Sequence, residues 1–213
     1  MGMGKVSGFL CDHKGSMVTF QFDLEKTIAA IAFLAERNVP DLDKYKVGKL
    51  LFLADKYHLV RYGRTITGDG YCAMDHGPAP SSTLNLLKAL HGREGSRFGA
   101  WAQQLLQFVE VDTSYQYPRF RSKQGPNLDV LSESDLKALR HIVALYGQKT
   151  FAELKAITHE MPAYQKSRKG GSGKAPRMKF EDFFEEDSEA REGIKEEMLE
   201  NFALQKAFPS HCL

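Results

Sequence analysis

The sequence predicts an α+β fold that is predominantly helical: a helical bundle carrying a small antiparallel sheet. Three observations lead there. Apolar residues recur at helical spacing through most of the chain, between residues that start and stop helices. Strand-like alternation is confined to two short stretches, Tyr71 to Asp75 and the region from Val109 to Arg121. Between them, Ile66 to Ser82 concentrates Gly68-Asp69-Gly70, Gly77-Pro78 and Pro80. Glycine tolerates positive φ, proline fixes its own φ, and the residue before each proline is pushed out of the helical region. The backbone path there is the most constrained in the chain, and its pattern predicts a strand, a Gly-Pro corner and a helix.

Residues 1–22 form an N-terminal extension in which Met17-Val18-Thr19-Phe20 predicts an edge strand. Asp23 then caps a helix with Leu24, Ile28, Ile31 and Ala35 on one face, stopped by Asn38 and Pro40. A second helix starts near Asp43 and ends at Gly63, its face Val47, Leu50, Leu51, Ala54, Tyr57 and His58. The short break predicts an antiparallel helical hairpin. Gly68-Asp69-Gly70 reads as a hairpin turn. After the central stretch, Leu84, Leu87 and Leu90 mark a third helix closed by Gly92. Gly95 to Gly99 interrupts, and Phe98, Trp101, Leu105 and Phe108 mark a fourth. Val109 to Arg121 predicts a strand with Tyr115, Tyr117 and Phe120 alternating, and Leu128 to Leu131 its returning partner. Ser132 with Asp135, and Thr150 with Glu153, open two further helices.

Residues 166–179 change character. The run from Gln165 to Lys179 holds six basic residues, three glycines and no acid, the composition of a flexible linker or mobile loop. Residues 180–213 form an acidic amphipathic segment, with ten Asp/Glu between Phe180 and Asn201 and an apolar line of Phe183, Phe184, Ile194, Met198 and Phe202.

At 213 residues with net charge +2, the composition is that of a soluble protein with no strong general pull toward nucleic acid or anionic membrane. Three cysteines without a Cys-x-x-Cys pair, and no apolar leader or ~18-residue apolar run, lead us to expect a reducing cytoplasm and no membrane partner. The seven histidines show no zinc-holding spacing, so no metal or cofactor is expected. Cys72 and His76, four apart on a strand, stand about 13 Å apart along the chain, too far for a nucleophile and its base. No Gly-x-Ser-x-Gly elbow, Walker loop or Gly-x-Gly-x-x-Gly occurs. Tyr57, Tyr62 and Arg64 are the better interaction candidates, because Tyr and Arg dominate binding hot spots.

The ordered set Lys49-Leu50-Leu51-Phe52, Tyr62-Gly63-Arg64, Gly77-Pro78 and Thr158-His159-Glu160 resembles the Panacea, or SocA-like, antitoxin domain of bacteria and their phages, over about residues 23–165. Ala79 and Tyr164 depart from the residues frequent there. The resemblance implies a mostly helical domain with a small sheet that neutralises a cognate protein toxin by direct binding. It offers no catalytic residues, and no added DNA-binding module is visible. The expected contact residues are Tyr57, Tyr62, Arg64, Asp69, Tyr71, His76, Pro78, Phe183 and Phe184, spanning the second helix, the Gly-Pro corner and the acidic segment. The acidic segment would suit a toxin with a basic cleft. Rival readings are a proteolytic adaptor, a hydrolase using Cys72, and a single-strand nucleic-acid binder. Nucleic acid is disfavoured as a partner, and a homo-oligomer is left open.

Overall fold

The structure, a computed structural model, describes residues 18–90, 96–171, 173–184 and 189–207. Among these are eight α-helices: α1 (Leu24–Glu36), α2 (Lys44–Tyr62), α3 (Ser81–Ala89), α4 (Ser96–Leu105), α5 (Glu133–Tyr146), α6 (Phe151–Glu160), α7 (Pro162–Gly170) and α8 (Glu189–Ala207). Two antiparallel hairpins complete the fold, β1 (Tyr71–Met74) with β2 (Gly77–Pro80), and β3 (Val109–Asp112) with β4 (Arg119–Ser122). It is the helix-rich α+β architecture the periodicity predicts. No described helix is long and apolar enough to cross a membrane.

Helix α2 is the axis of the fold, flanked by α5, β2, α8, α6 and α3. Its most extensive helical packing is against α5 and not against α1, so a simple α1–α2 hairpin does not describe the core. Val47, Leu50, Leu51, Phe52 and Leu59 of α2 are buried with Ile31, Phe33 and Leu34 of α1 and Leu139 and Ile142 of α5. The local signals behave as expected. Asp23 accepts from Lys26 N, Asp43 from Tyr45 N and Lys46 N, and Gly63 ends α2 in the left-handed region at φ +67°. Both predicted capping boxes form, at Ser132/Asp135 and Thr150/Glu153.

Several strand expectations are corrected. Residues 18–20 are irregular, and Met17 lies outside the described residues, as do Gly92 and Gly95. Gly77-Pro78 is not a corner but the start of β2, with Tyr71 opposite Pro80 and Ala73 opposite Pro78; the turn is at Asp75-His76. Tyr115 and Tyr117 lie in the connection between β3 and β4. There the Asp112 carboxylate accepts from Ser114 N and Oγ, a local bond that competes with the ladder. Residues Leu128–Val130 form a 3₁₀ turn capped by Asn127 in place of a strand.

The basic stretch is built into the fold. Its first residues belong to α7, and beyond it Ala73 N donates to Pro176 O and Met178 N to Tyr71 O, both at 2.8 Å. Long-range pairing with β1 therefore overrides the flexible composition. The acidic segment is likewise anchored. Phe180, Phe183 and Phe184 are buried in the core, Phe183 packing on Phe52 and Tyr71, and Met198 brings α8 onto α2.

Candidate partner-binding face

The Gly-rich centre of the sequence proves to be a scaffold. Asp55, fully buried, accepts from Ile66 N at 2.8 Å, Thr67 N at 3.1 Å, the Thr67 hydroxyl, and Tyr71 Oη at 2.7 Å. Burial raises its pKa against the four donors. Asp69 reaches 13 residues forward to cap α3, accepting from Ser82 N at 2.9 Å and Thr83 N at 2.7 Å, and the Thr83 hydroxyl donates to it as well. Pro80 stands at the N-cap position and has no side chain for that task. Gly68-Asp69-Gly70 thus supplies the accepting cap of α3 and is not a hairpin turn. Gly68, at φ +65°, passes so close to the N-terminal strap that a Cβ there would overlap the Gln21 carbonyl oxygen.

This scaffold presses the β1–β2 hairpin onto α2. Gly48 admits Pro80, whose Cδ would stand 3.2 Å from a Cβ on that glycine. Gly77 has φ +94°, and a Cβ there would stand 2.8 Å from Lys49 Nζ, 3.0 Å from Thr158 Oγ1 and 3.1 Å from His159 Cδ2. Both the backbone angle and the crowding require glycine.

Between hairpin, α2 and α3 opens a cleft of about 350 Å³. Its apolar wall comprises Pro78, Ala79, Pro80, Leu84 and Met74; its polar lining includes Lys44, Lys49, Lys88, Lys174, Asp75 and His76. Lys49 is 3% exposed and donates to Pro78 O at 2.7 Å. Burial, with a smaller contribution from Lys155, lowers its pKa to about 7. Burial also lowers the pKa of His159, aided by Lys155, Lys49, Arg168 and His76. The Nε2 of His159 is buried and has no hydrogen-bond partner among the described residues, while its ring stacks on Tyr164.

An aromatic rim continues the cleft. Tyr45 makes ring contacts with Tyr117 at 5.1 Å, Phe151 at 5.6 Å and His76 at 6.0 Å. Lys44 Nζ lies 5.0 Å over the Tyr45 ring, and the Arg119 guanidinium 3.5 Å over Tyr115. Tyr117, Tyr115 and Met74 are 44%, 39% and 38% exposed. Exposed Tyr, Met and Arg around an apolar hollow are the composition of protein interfaces.

The predicted contact residues divide. His76 sits on the exposed turn at the cleft, and Pro78 is buried in its wall. Asp69 and Tyr71 are 1% exposed and committed to the scaffold, and Phe183 and Phe184 are core residues. These four buried side chains support the candidate face from behind, because their polar and apolar surfaces already have partners within the chain. Tyr57 and Tyr62 lie toward the other end of α2, about 12 and 20 Å along the helix from Lys49, and Arg64 just past its end. There the Tyr57 ring makes a tilted contact with His141 and the Tyr62 ring with His58. Arg64 pairs with buried Asp135 at 3.0 Å, beside His58 at 3.1 Å and Lys26 at 3.1 Å. Burial opposes ionisation of Asp135. The His58 and Ser132 hydrogen bonds and the Arg64 and Lys26 charges outweigh it, and hold its pKa well below the usual carboxylate range.

Lys49, Tyr45, Lys88, Phe151 and His159 were not among the expected contacts. One signal was present: Lys49 interrupts the apolar run Val47 to Ala54 beside a helix-interior glycine, an expensive pair unless something packs there. Cys72 Sγ lies 3.5 Å from Ser81 Oγ and has no base hydrogen-bonded to it among the described residues. No cluster of three or more metal-ligating side chains occurs among the described residues.

Comparison with known proteins finds that the family model described as antitoxin SocA-like, Panacea domain, matches residues 47–165. The match takes in most of α2, the whole β1–β2 hairpin, α6 and the start of α7. No curated protein and no solved structure matches the chain.

Proposed function

The chain belongs to the SocA-like Panacea antitoxin family, and from that premise we propose that it binds a cognate protein toxin and neutralises it by direct contact, with no chemistry of its own. The observation that carries this reading is the hairpin cleft with its basic lining and aromatic rim, much of it within the matched span. Cytoplasmic action in a bacterium or its phage follows from the same reading.

We place the contact face at the hairpin and the adjoining start of α2, and not on the acidic arm. Phe183, Phe184 and Met198 tie that arm into the core, so removing residues 180–213 would unfold the protein before it tested inhibition. A stable complex buries roughly 1,600 Å² in total. The hollow, the Tyr45–Tyr117–Phe151 rim and Met74 form a continuous start for such a surface.

The test is co-expression with the protein encoded beside this chain, scored by growth and by the level of that protein. Growth rescue at an unchanged level, with a complex recovered on size exclusion, is the expected result. Rescue accompanied by loss of the partner would replace steric neutralisation with the adaptor reading, and a neighbour that is harmless alone would end the antitoxin reading.

A further inference from the structure

The cleft carries an excess of positive charge, offset among the described residues only in part, by Asp75 and by Asp43 beside Lys44. Four lysines line it, Lys44, Lys49, Lys88 and Lys174, against a single carboxylate, Asp75. Asp75 is already taken, held by Arg168 Nη2 at 3.0 Å. None of the four lysines forms an ion pair with a described carboxylate. Lys49 has one carbonyl partner for its three donor hydrogens, and beyond it stand His159 and Lys155 of α6, of which Lys155 adds positive charge. A buried ammonium without a counter-ion is costly. Here the cost is borne at the edge of an open hollow with apolar walls.

We propose that this cleft is the receptor for an acidic side chain of the partner protein, carried on an otherwise apolar turn or helix, whose carboxylate meets Lys49 while Lys88 and Lys174 flank it. The proposal rests on the antitoxin reading and names the chemistry its partner must present. The occupant is a protein segment because Pro78, Pro80 and Leu84 line the hollow and Lys49 is almost wholly buried. A nucleic-acid backbone is instead tracked by protruding cations along a groove. None of the described acids of this chain's own arm lines the cleft: Phe183 packs into the core against Phe52 and Tyr71, and α8 meets α2 at Gly63, against Glu197 and Met198.

The experiment is calorimetric titration of the full chain with the protein encoded beside it, for the wild type, Lys88→Glu/Lys174→Glu, Lys49→Met, and Lys137→Glu, an exposed side chain of α5, as the charge control. The double variant changes only cleft-mouth side chains, so its melting curve should match the wild type and its result does not depend on the fate of Lys49→Met. Expected are a loss of at least a hundredfold in affinity for the double variant, a loss of tenfold or more for Lys49→Met, and no change for Lys137→Glu. One Asp or Glu of the partner, replaced by its amide, should show strongly reduced sensitivity to Lys49→Met, as paired groups do in a double-mutant cycle. Unchanged affinity in the double variant overturns the cleft proposal and leaves the antitoxin reading standing. Absence of binding by the wild-type chain removes both. Displacement of the partner by a 20-nucleotide single strand that binds with micromolar affinity or better would overturn the acidic-segment proposal in favour of nucleic acid.

Discussion

Replacing Lys49 with methionine should stabilise this protein at neutral pH, and the gain should disappear as the solution is made alkaline. Lys49 is 3% exposed and its pKa falls from an ordinary 10.5 to about 7. The charged or titratable groups that interact with it among the described residues are Lys155 and His159 from α6, and neither is acidic. Between pH 7 and about 10.5 the unfolded chain therefore holds a proton that the folded chain has released. Stability must rise with pH through that window, at up to about 1.4 kcal/mol per pH unit. Integrated, the depressed pKa costs the fold about 4 kcal/mol at pH 7 and about 2 kcal/mol at pH 9. Methionine fills a similar volume without this cost, but it leaves the Pro78 carbonyl without its donor, a loss of about 2 kcal/mol. The variant should be about 2 kcal/mol more stable than wild type at pH 7 and level with it by pH 9. Urea unfolding of both proteins at pH 7, 8 and 9 measures the difference, and titrations common to both cancel. A difference that stays constant across those three values would refute the account of Lys49 as a desolvated amine.

Three further substitutions probe the scaffold. Asp135→Asn should cost about 3 kcal/mol at pH 7, because it leaves buried His58 and the Arg64 and Lys26 cations without their carboxylate. The folded-state pKa of Asp135 is depressed, so its contribution is complete above the unfolded value near 3.9 and is lost as pH falls toward the folded value. Denaturation between pH 7 and 2 should show the two proteins converging in acid. Gly68→Ala combines a left-handed backbone angle with a clash against the Gln21 carbonyl, and should lower stability by more than about 2 kcal/mol in a thermal melt. Phe183→Ala should cost about 3–5 kcal/mol, where a solvent-facing contact residue would cost almost nothing.

What was legible in the sequence is what local chemistry decides. Asp43 accepting from Lys46 N, Thr150 paired with Glu153, and Gly63 in the left-handed region involve residues within one or two helical turns, so type and spacing suffice to place them. The hairpin was harder. Two of the four β2 residues are prolines without an N–H, which argues against a strand. They are tolerated because β2 pairs only with β1, while α2 covers it at Gly48. Residues 176–178 look like linker by composition, and only their bonds to Tyr71 and Ala73, about a hundred positions away, make them structure. The candidate face was half legible for the same reason. His76 and Pro78 announce themselves through the turn chemistry around them. Tyr45, Lys88 and Phe151 become neighbours of the cleft only when α2, α3 and α6 meet at the hairpin.

The costs of this fold are not spread evenly, and where they fall bears on function. Gly48 sits inside a helix and weakens it by about 1 kcal/mol relative to alanine. Gly77 is held at positive φ, and Lys49 is buried without a counter-ion. All three meet at one junction of α2, hairpin and α6. A junction selected for stability alone would place an aliphatic side chain at position 49, which carries no charge to desolvate. The other buried lysine of α2, Lys46, shows what a purely structural role looks like. It points away from the cleft lining and donates at 2.6 Å to the Pro40 carbonyl, with Asp41 and Asp43 supplying compensating negative charge. Lys49 has no such acids beside it and borders an open hollow. The compensation it lacks is a carboxylate, and the side from which one can arrive is the cleft.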